Sequence, residues 1–490
     1  MPAEGTRMAR LWEREVGRLP PKRFADAFMA SEDFVHSLGI QKRLRNHKGA
    51  VNSICFNTSG SLLLSSSDDE TAVLWNLEEP ASALKFHTGH GNDVLDARFM
   101  PLSDDQSIIT CGADAEVRRS RIQEGGCVST DKLADLRYMV TQLAVQPGSH
   151  TFFSCVEDGS VWHFDLREKR PRKLFKCGAV RSFDYLSGDT MQLYAIALDP
   201  RYPSCFAVSG DDEYVRLYDA RKIDLERSKF GIPFEQFCPP DLICNKRDGI
   251  AGLAFSQTGE LLASYRHDNI YLFSREHGLH FNDFGGIAVE KLPVPRTFKG
   301  HENKHAIKGV SFLGPNCDYV TSGSDCGNIF IWRKKDGELI RVMKGDKRIV
   351  NCVKQHPTEI VVASCGIDAD VKIWAPGDNE NPSTARFDEV DSNPSLVRST
   401  GSDSDCSAYV LSARFDSSSS SSDDDDDDDD DDYDDDDDEE EEEEEYDDYF
   451  DDDDETDGDE DQKDDEWRYM TASQQNMYGQ FTSPADRTVQ

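Results

Sequence analysis

From Val51 onward the chain alternates short apolar runs with polar turns, and the alternation repeats. VNSICF (Val51–Phe56) is followed by a turn at Thr58-Ser59-Gly60, then LLLSSS, then a turn at Asp68-Asp69, then TAVLW. Runs of five or six residues, rich in Val, Ile and Leu and bounded by Gly, Ser and Asp, predict strands in a meander. The strand–acidic turn–strand unit LLLSSSDDETAVLW ends at Trp75. It recurs as TCGADAEVRRS to Ser120, SCVEDGSVWHF to Phe164, VSGDDEYVRLY to Tyr218, SYRHDNIYLF to Phe273, TSGSDCGNIFIW to Trp332 and SCGIDADVKIW to Trp374. Seven copies spaced every 40 to 60 residues are the mark of a closed repeat array. The runs are apolar on both faces, as expected of sheets stacked around an axis that bury each other.

The repeats resemble WD repeats. That resemblance implies an all-β, seven-bladed WD-repeat β-propeller over residues 39–376. It also implies a hydrogen-bonded set in each blade, joining a turn Asp, a strand Trp and a His from the preceding Gly-His turn. Here these would be Asp69, Trp75 and His47 in the first blade, with His90 and His301 in the second and sixth. The turn Asp would recur as Asp114, Asp158, Asp212, Asp268 and Asp368, and the strand Trp as Trp332 and Trp374. Two repeats depart from the pattern. The second has Ser120 in place of the aromatic. The sixth has Cys326 where the Asp belongs, with Asp325 one residue early, so both blades are expected to be looser or closed differently.

The last motif ends at Trp374 without an outer strand, whereas IQKRLR (Ile40–Arg45) precedes the first repeat. Pairing of that strand with the last blade would close the ring and remove two exposed edges. Turn-Asp spacings of 45, 44, 54 and 56 place extra residues near 222–250 and 274–298, expected as rim loops. Residues 1–38 predict a helical extension. MARLWEREVGR has helical spacing, and after Pro20-Pro21 the positions Phe24, Ala25, Phe28, Met29, Phe34, Val35 and Leu38 form an amphipathic pattern. Such a helix either packs on the propeller itself or is offered to a partner's groove.

Charge divides the chain in two. It carries 54 basic and 95 acidic side chains, net −41, but residues 423–466 alone hold 36 Asp or Glu against one Lys. The rest of the chain has 53 basic and 59 acidic residues, so the acidity belongs to a tail. Residues 377–490 lack apolar periodicity and are expected to be disordered. Ser417–Ser422, beside the acidic run, suit an acidophilic kinase, and the tract could engage basic proteins such as histones, solubilise the chain, or fold back on basic patches. Thirteen scattered Cys without a CxxC pair read as small buried hydrophobes in a reducing compartment. With no apolar leader and no run of 18 apolar residues, the expectation is a nuclear or cytoplasmic protein with no membrane contact.

Two consecutive repeats end in aromatic-Asp-x-Arg: Phe164-Asp165-Leu166-Arg167 and Tyr218-Asp219-Ala220-Arg221. This is similar to the box of WD-repeat substrate receptors of cullin-4 ubiquitin ligases. NHKGAVNSICFN, GELLASYRHDNIYLF, FKGHENKHAIKGVSFLG and VTSGSDCGNIFIW further resemble the type-eight branch of cullin-4-associated factors, over roughly residues 35–376. The resemblance implies docking to the damaged-DNA-binding-protein adaptor and cullin-4 through Arg167 and Arg221, held by Asp165 and Asp219, with help from the segment around Phe24–Leu38. A planar guanidinium suits bidentate capture of carboxylates or carbonyls. The protein target is not legible.

No GxxxxGK[ST], HExxH or GxSxG occurs, and Asp68-Asp69 and Asp211-Asp212 sit at blade turns, so neither enzyme activity nor a cofactor is expected. The cluster REKRPRK (Arg167–Lys173) reads as a solvated loop. The body is not net basic, which argues against direct nucleic-acid binding. The rival reading is a histone-binding scaffold or chaperone that uses the propeller and tail without a ligase.

Overall fold

The computed structural model describes residues 12–377 except 124, 179–190, 224–230, 244–248, 280–291 and 305–307. The tail and its 423–466 tract therefore lie outside the described residues. Among those described, 28 strands, numbered β1–β28 along the chain, form seven four-stranded antiparallel sheets. Six sheets are made of four consecutive strands. The seventh has the order β1-β28-β27-β26, with β1 (Leu38–Arg45) running antiparallel to β28 (Asp370–Pro376) from Leu38–Pro376 to Arg45–Asp370. This is the closure that the missing outer strand predicts. The protein is a seven-bladed β-propeller.

The strands are buried on both faces because each sheet lies between two others. In β3 (Leu62–Ser67) Leu63 through Ser67 are buried, and β11 (Thr151–Val156) is buried at every position. A polar belt links the innermost strands. Ser53 Oγ in the first blade donates to Asp96 in the second at 2.7 Å, and Leu143 N in the third donates to the same carboxylate at 3.1 Å. Ile196 N in the fourth blade donates to Gln142 at 2.9 Å, and Asn351 in the seventh to the Val51 carbonyl at 3.1 Å. Buried polar groups here are matched across the seams, as burial demands.

The hydrogen-bond sets inside the blades differ. In the first, His47 Nδ1 lies 3.2 Å from Asp69, while His47 Nε2 and Trp75 Nε1 both reach Ser65 Oγ, at 2.7 and 2.9 Å. Burial works to raise the Asp69 carboxyl, but hydrogen bonds from His47, Lys85 and Thr71 outweigh it and hold the group far below the usual carboxylate range. The second blade, without its aromatic, is closed differently. His90 bridges Asp114 and Thr110 at 2.9 Å each, and Ser120 lies buried near Thr130. In the third, Asp158 accepts from Ser160 N and Lys176, both at 2.9 Å.

The other four blades depart from this set, three of them without the histidine. Asp212 chelates Arg216, which is fully buried. In the fifth turn His267 takes the left-handed position (φ 55°), so Asp268 falls one place late and accepts from Asn269 and Tyr271 instead. In the seventh, Asp346 stands in the Gly-His position, and Lys372 lies among Asp346, Asp368 and Asp370, while Trp374 Nε1 donates to Ser364 at 2.8 Å. The sixth blade departs furthest from the expected set. Asp325 pairs with buried Lys308, Trp332 Nε1 donates to the Lys299 carbonyl at 2.9 Å, and His301 packs edge-on to Trp332. Neither His301 nitrogen has a hydrogen-bond partner among the described residues.

The N-terminal helices are α1 (Pro21–Met29) and α2 (Glu32–Ser37), separated at Ala30-Ser31. Phe34, Val35 and Leu38 are fully buried against the sixth and seventh blades, beside Leu313, Ile329, Met343 and Trp374. Each such side chain contributes about 1.5–3 kcal/mol by leaving water. Tyr319 Oη donates to the Ala30 carbonyl at 3.2 Å, and Arg333 pairs with Glu32. The apolar side of α2 is therefore spent on the propeller itself. The insertions are also distributed differently from expectation. The described parts of 222–250 hold a short outer strand at Glu235–Phe237 and a 3-10 turn at Pro240–Leu242, and those of 274–298 a 3-10 turn at Arg275–His277 and an outer strand at Arg296–Phe298. A further insertion, between β13 (ending at Lys176) and β14 (beginning at Leu193), accounts for the 54-residue spacing.

Candidate functional site

In an antiparallel meander, the connections from first to second strand and from third to fourth lie on one rim, and the others lie on the opposite rim. Both Asp-x-Arg boxes follow the third strand of their blades, β12 (Ser160–Asp165) and β16 (Val215–Asp219), so they share a rim. Pro315 and Asn316, which line one recess with Arg23, Asp26 and Ala27 of α1, and Arg333 and Gln355, which bond Glu32 and Met29, sit at strand ends on that same rim.

The boxes have one geometry. The carboxylate of Asp165 accepts from Arg167 N at 3.0 Å, Nε at 2.9 Å and Nη2 at 2.6 Å. Asp219 accepts from Arg221 N at 3.1 Å, Nε at 3.0 Å and Nη2 at 2.8 Å. The Arg167 bonds hold the Asp165 carboxyl down at about 2, and the Arg221 bonds likewise lower Asp219. Both carboxylates are mostly covered, yet the guanidinium side chains are 67% and 70% exposed. Nη1 of each makes no hydrogen bond among the described residues. Each arginine is thus fixed along one edge and open along the other.

A third clamp escaped the sequence reading. Asp199 and Arg201 repeat the chelate at 2.9, 3.0 and 2.7 Å, but Arg201 Nη1 also donates to the Thr258 carbonyl of the next blade at 2.8 Å. Its outer edge is consumed, and its side chain is only 33% exposed. The Asp-x-Arg signal was present in Asp199-Pro200-Arg201, but it follows an inner strand and no aromatic precedes it. Gly259 makes the crossing possible, because a Cβ there would fall within 1.7 Å of the guanidinium. Beside this staple a cavity of about 280 Å³ opens between the fourth and fifth blades.

On the opposite rim, burial raises Asp68 and Asp211 to about 6. The basic run Arg167–Lys173 is exposed at Arg167, Lys169, Arg170 and Arg172, while Lys173 turns in toward Asp158.

The WD domain, G-beta repeat family matches residues 39–76, 293–333 and 337–375. These stretches are WD repeats. They comprise the first, sixth and seventh blades' motif strands, and the remaining blades share the same four-stranded plan. Over 276 residues the chain is 30% identical to mouse DDB1- and CUL4-associated factor 6, covering 54% of this chain and 31% of that protein. It is 28% identical over 218 residues to mouse WD and tetratricopeptide repeats protein 1, covering 44% and 31%. It is also 28% identical over 276 residues to Protein ALTERED SEED GERMINATION 2 of Arabidopsis thaliana, covering 50% and 36%. The chain spans about a third of the length of these relatives. It is therefore a WD-repeat propeller similar to a cullin-4-associated factor.

Proposed function

We propose that this chain is a non-catalytic substrate receptor of a cullin-4 ubiquitin ligase, of the type-eight branch, and that it docks to the DDB1 adaptor through Arg167 and Arg221. The observation that carries the reading is the pair of half-free guanidinium groups, identically clamped in adjacent blades on one rim. The similarity to a protein named for association with DDB1 and CUL4 supports it. The receptor's contribution is proximity: it holds a target near a separately recruited enzyme and raises the target's effective concentration. The N-terminal helices join the docking face through α1, whose Phe24 and Phe28 are only partly buried, while α2 anchors them.

Arginines at the centre of an interface commonly cost about 2 kcal/mol or more when truncated, so losing both corresponds to roughly a 10³-fold loss of affinity. The test is affinity purification of wild type and an R167A/R221A variant. The adaptor and cullin are expected with the wild type only. Equal adaptor recovery from the variant would defeat the proposal.

A further inference from the structure

The cavity between the fourth and fifth blades opens on the rim that carries the boxes. Its floor is apolar, made by Leu217, Phe237, Phe255, Leu261 and Phe273. At its mouth stand Tyr202 and Phe234, 50% and 43% exposed, and Ile232 nearby is 69% exposed. Three large apolar side chains left in water on one blade edge mark a contact surface more than a solvated one. At about 280 Å³ the cavity falls below the range of small-molecule sites, about 300–1,000 Å³, and suits one or two protein side chains.

The surrounding charge selects among proteins. Asp199 and Asp219 are already neutralised by their own clamps. Arg275 lines the mouth, is exposed, and has no ion-pair partner among the described residues. Arg221 lies just beyond, since Asp219 is paired across the sheet with Cys205 of the cavity wall. Arg221 and Arg275 thus flank a hole with an apolar floor, whose lining also holds one carboxylate, Glu235. The wall is also rigid. The Arg201 staple ties Asp199 to Thr258 across the seam, and its guanidinium lies 5.4 Å from the Tyr202 ring centroid. A preformed recess costs less ordering on binding.

We infer that this cavity is an anchor subsite for the same docking partner, receiving a bulky apolar side chain from a segment whose neighbouring carboxylates meet Arg221 and Arg275. The inference rests on the proposed adaptor docking and extends it from two point contacts to a continuous strip across the third, fourth and fifth blades.

The test measures the Kd of the purified full-length protein for purified DDB1, comparing wild type with Y202A/F234A, R275E and R167A/R221A. Both mouth residues are about half-exposed, so the first variant is expected to keep the wild-type circular dichroism and melting temperature. It should bind about tenfold or more weakly. R275E should weaken binding further as salt is lowered, because its charge now repels the partner's carboxylates. If R167A/R221A loses binding while Y202A/F234A stays within about twofold of wild type, the subsite is overturned and the adaptor reading stands. If no variant changes Kd, both fall. Sedimentation that shows wild-type self-association, lost in Y202A/F234A with DDB1 binding intact, would assign the cavity to a second copy and also overturn the inference.

Discussion

His301 offers a sharp physical test of the sixth blade. In the first two blades the equivalent imidazole is held between a carboxylate and a hydroxyl. In the sixth the carboxylate comes one residue early and pairs with Lys308, leaving the ring buried with neither nitrogen bonded among the described residues. Burial, reinforced by the Lys308 charge, pushes the imidazole down from 6.5 to about 4. The unfolded chain therefore takes up a proton as pH falls through 6.5, while the folded chain refuses it until about pH 4. Stability is thus present at neutral pH and is lost between pH 6.5 and 4. At pH 4.5 the loss from this group is about 2.5 kcal/mol.

The raw stability curve will not isolate this effect. Asp68 and Asp211, raised to about 6, have the opposite slope between pH 4 and 6, because their folded carboxyls hold protons that the unfolded chain releases. The difference between wild type and His301→Phe removes those terms and the charge of the tail. Phenylalanine keeps the edge-on contact with Trp332, now at 5.7 Å between centroids, and removes both nitrogens. Urea unfolding followed by tryptophan fluorescence at pH 7 and pH 4.5 gives the two free energies. The variant is expected to gain about 2.5 kcal/mol on wild type when the pH is lowered. Parallel behaviour of the two proteins would refute the claim that this imidazole is buried neutral.

Four further outcomes are expected. Lys372→Met strands Asp346, Asp368 and Asp370 without their buried ammonium and should cost about 3–5 kcal/mol in urea unfolding, with partial recovery on adding Asp346→Asn. Arg201→Ala leaves the covered Asp199 carboxylate short of donors and should cost about 1–3 kcal/mol, visible as a lower denaturation midpoint at unchanged m. Asp165→Ala with Asp219→Ala keeps both arginines but frees their side chains, and adaptor binding should weaken chiefly through faster dissociation in surface plasmon resonance. Removing residues 12–45 exposes the edge of β28 and the apolar groove under Phe34, so the truncated protein should aggregate, as read by light scattering.

Much of this architecture is written along the chain. The sevenfold strand–turn–strand unit gives the blades, and the strand deficit after Trp374 gives the partner of Ile40–Arg45, because a sheet needs its edge covered. The seat of the helices is not written there. Phe34, Val35 and Leu38 show an apolar face, but any apolar surface would satisfy the pattern. The blade substitutions were half legible. Gly345-Asp346 stands where Gly-His belongs, and Lys372 sits in the following strand, yet only packing shows that the two meet. Asp268 misleads because a left-handed His267 shifts the turn by one residue. The cavity is assembled from strand ends and connections of two blades far apart in sequence, so no local pattern announces it.

The three clamps separate two uses of one motif. Arg side chains carry about 2 kcal/mol of rotamer entropy, and chelation by a covered aspartate removes that freedom before any partner arrives. Fixation alone does not make a docking group, because Arg201 is chelated as tightly as the others. What differs is the outer edge. The Thr258 carbonyl takes it in Arg201, which turns the residue into a staple between blades. In Arg167 and Arg221 it faces solvent on a side chain about two-thirds exposed. An interface contact to a preset guanidinium loses little entropy and leaves no donor unpaired, whereas a free surface arginine would lose both advantages. On the proposed docking, the same rim holds its recognition groups and its structural ones in one conformation, distinguished only by whether a neighbouring turn comes within reach.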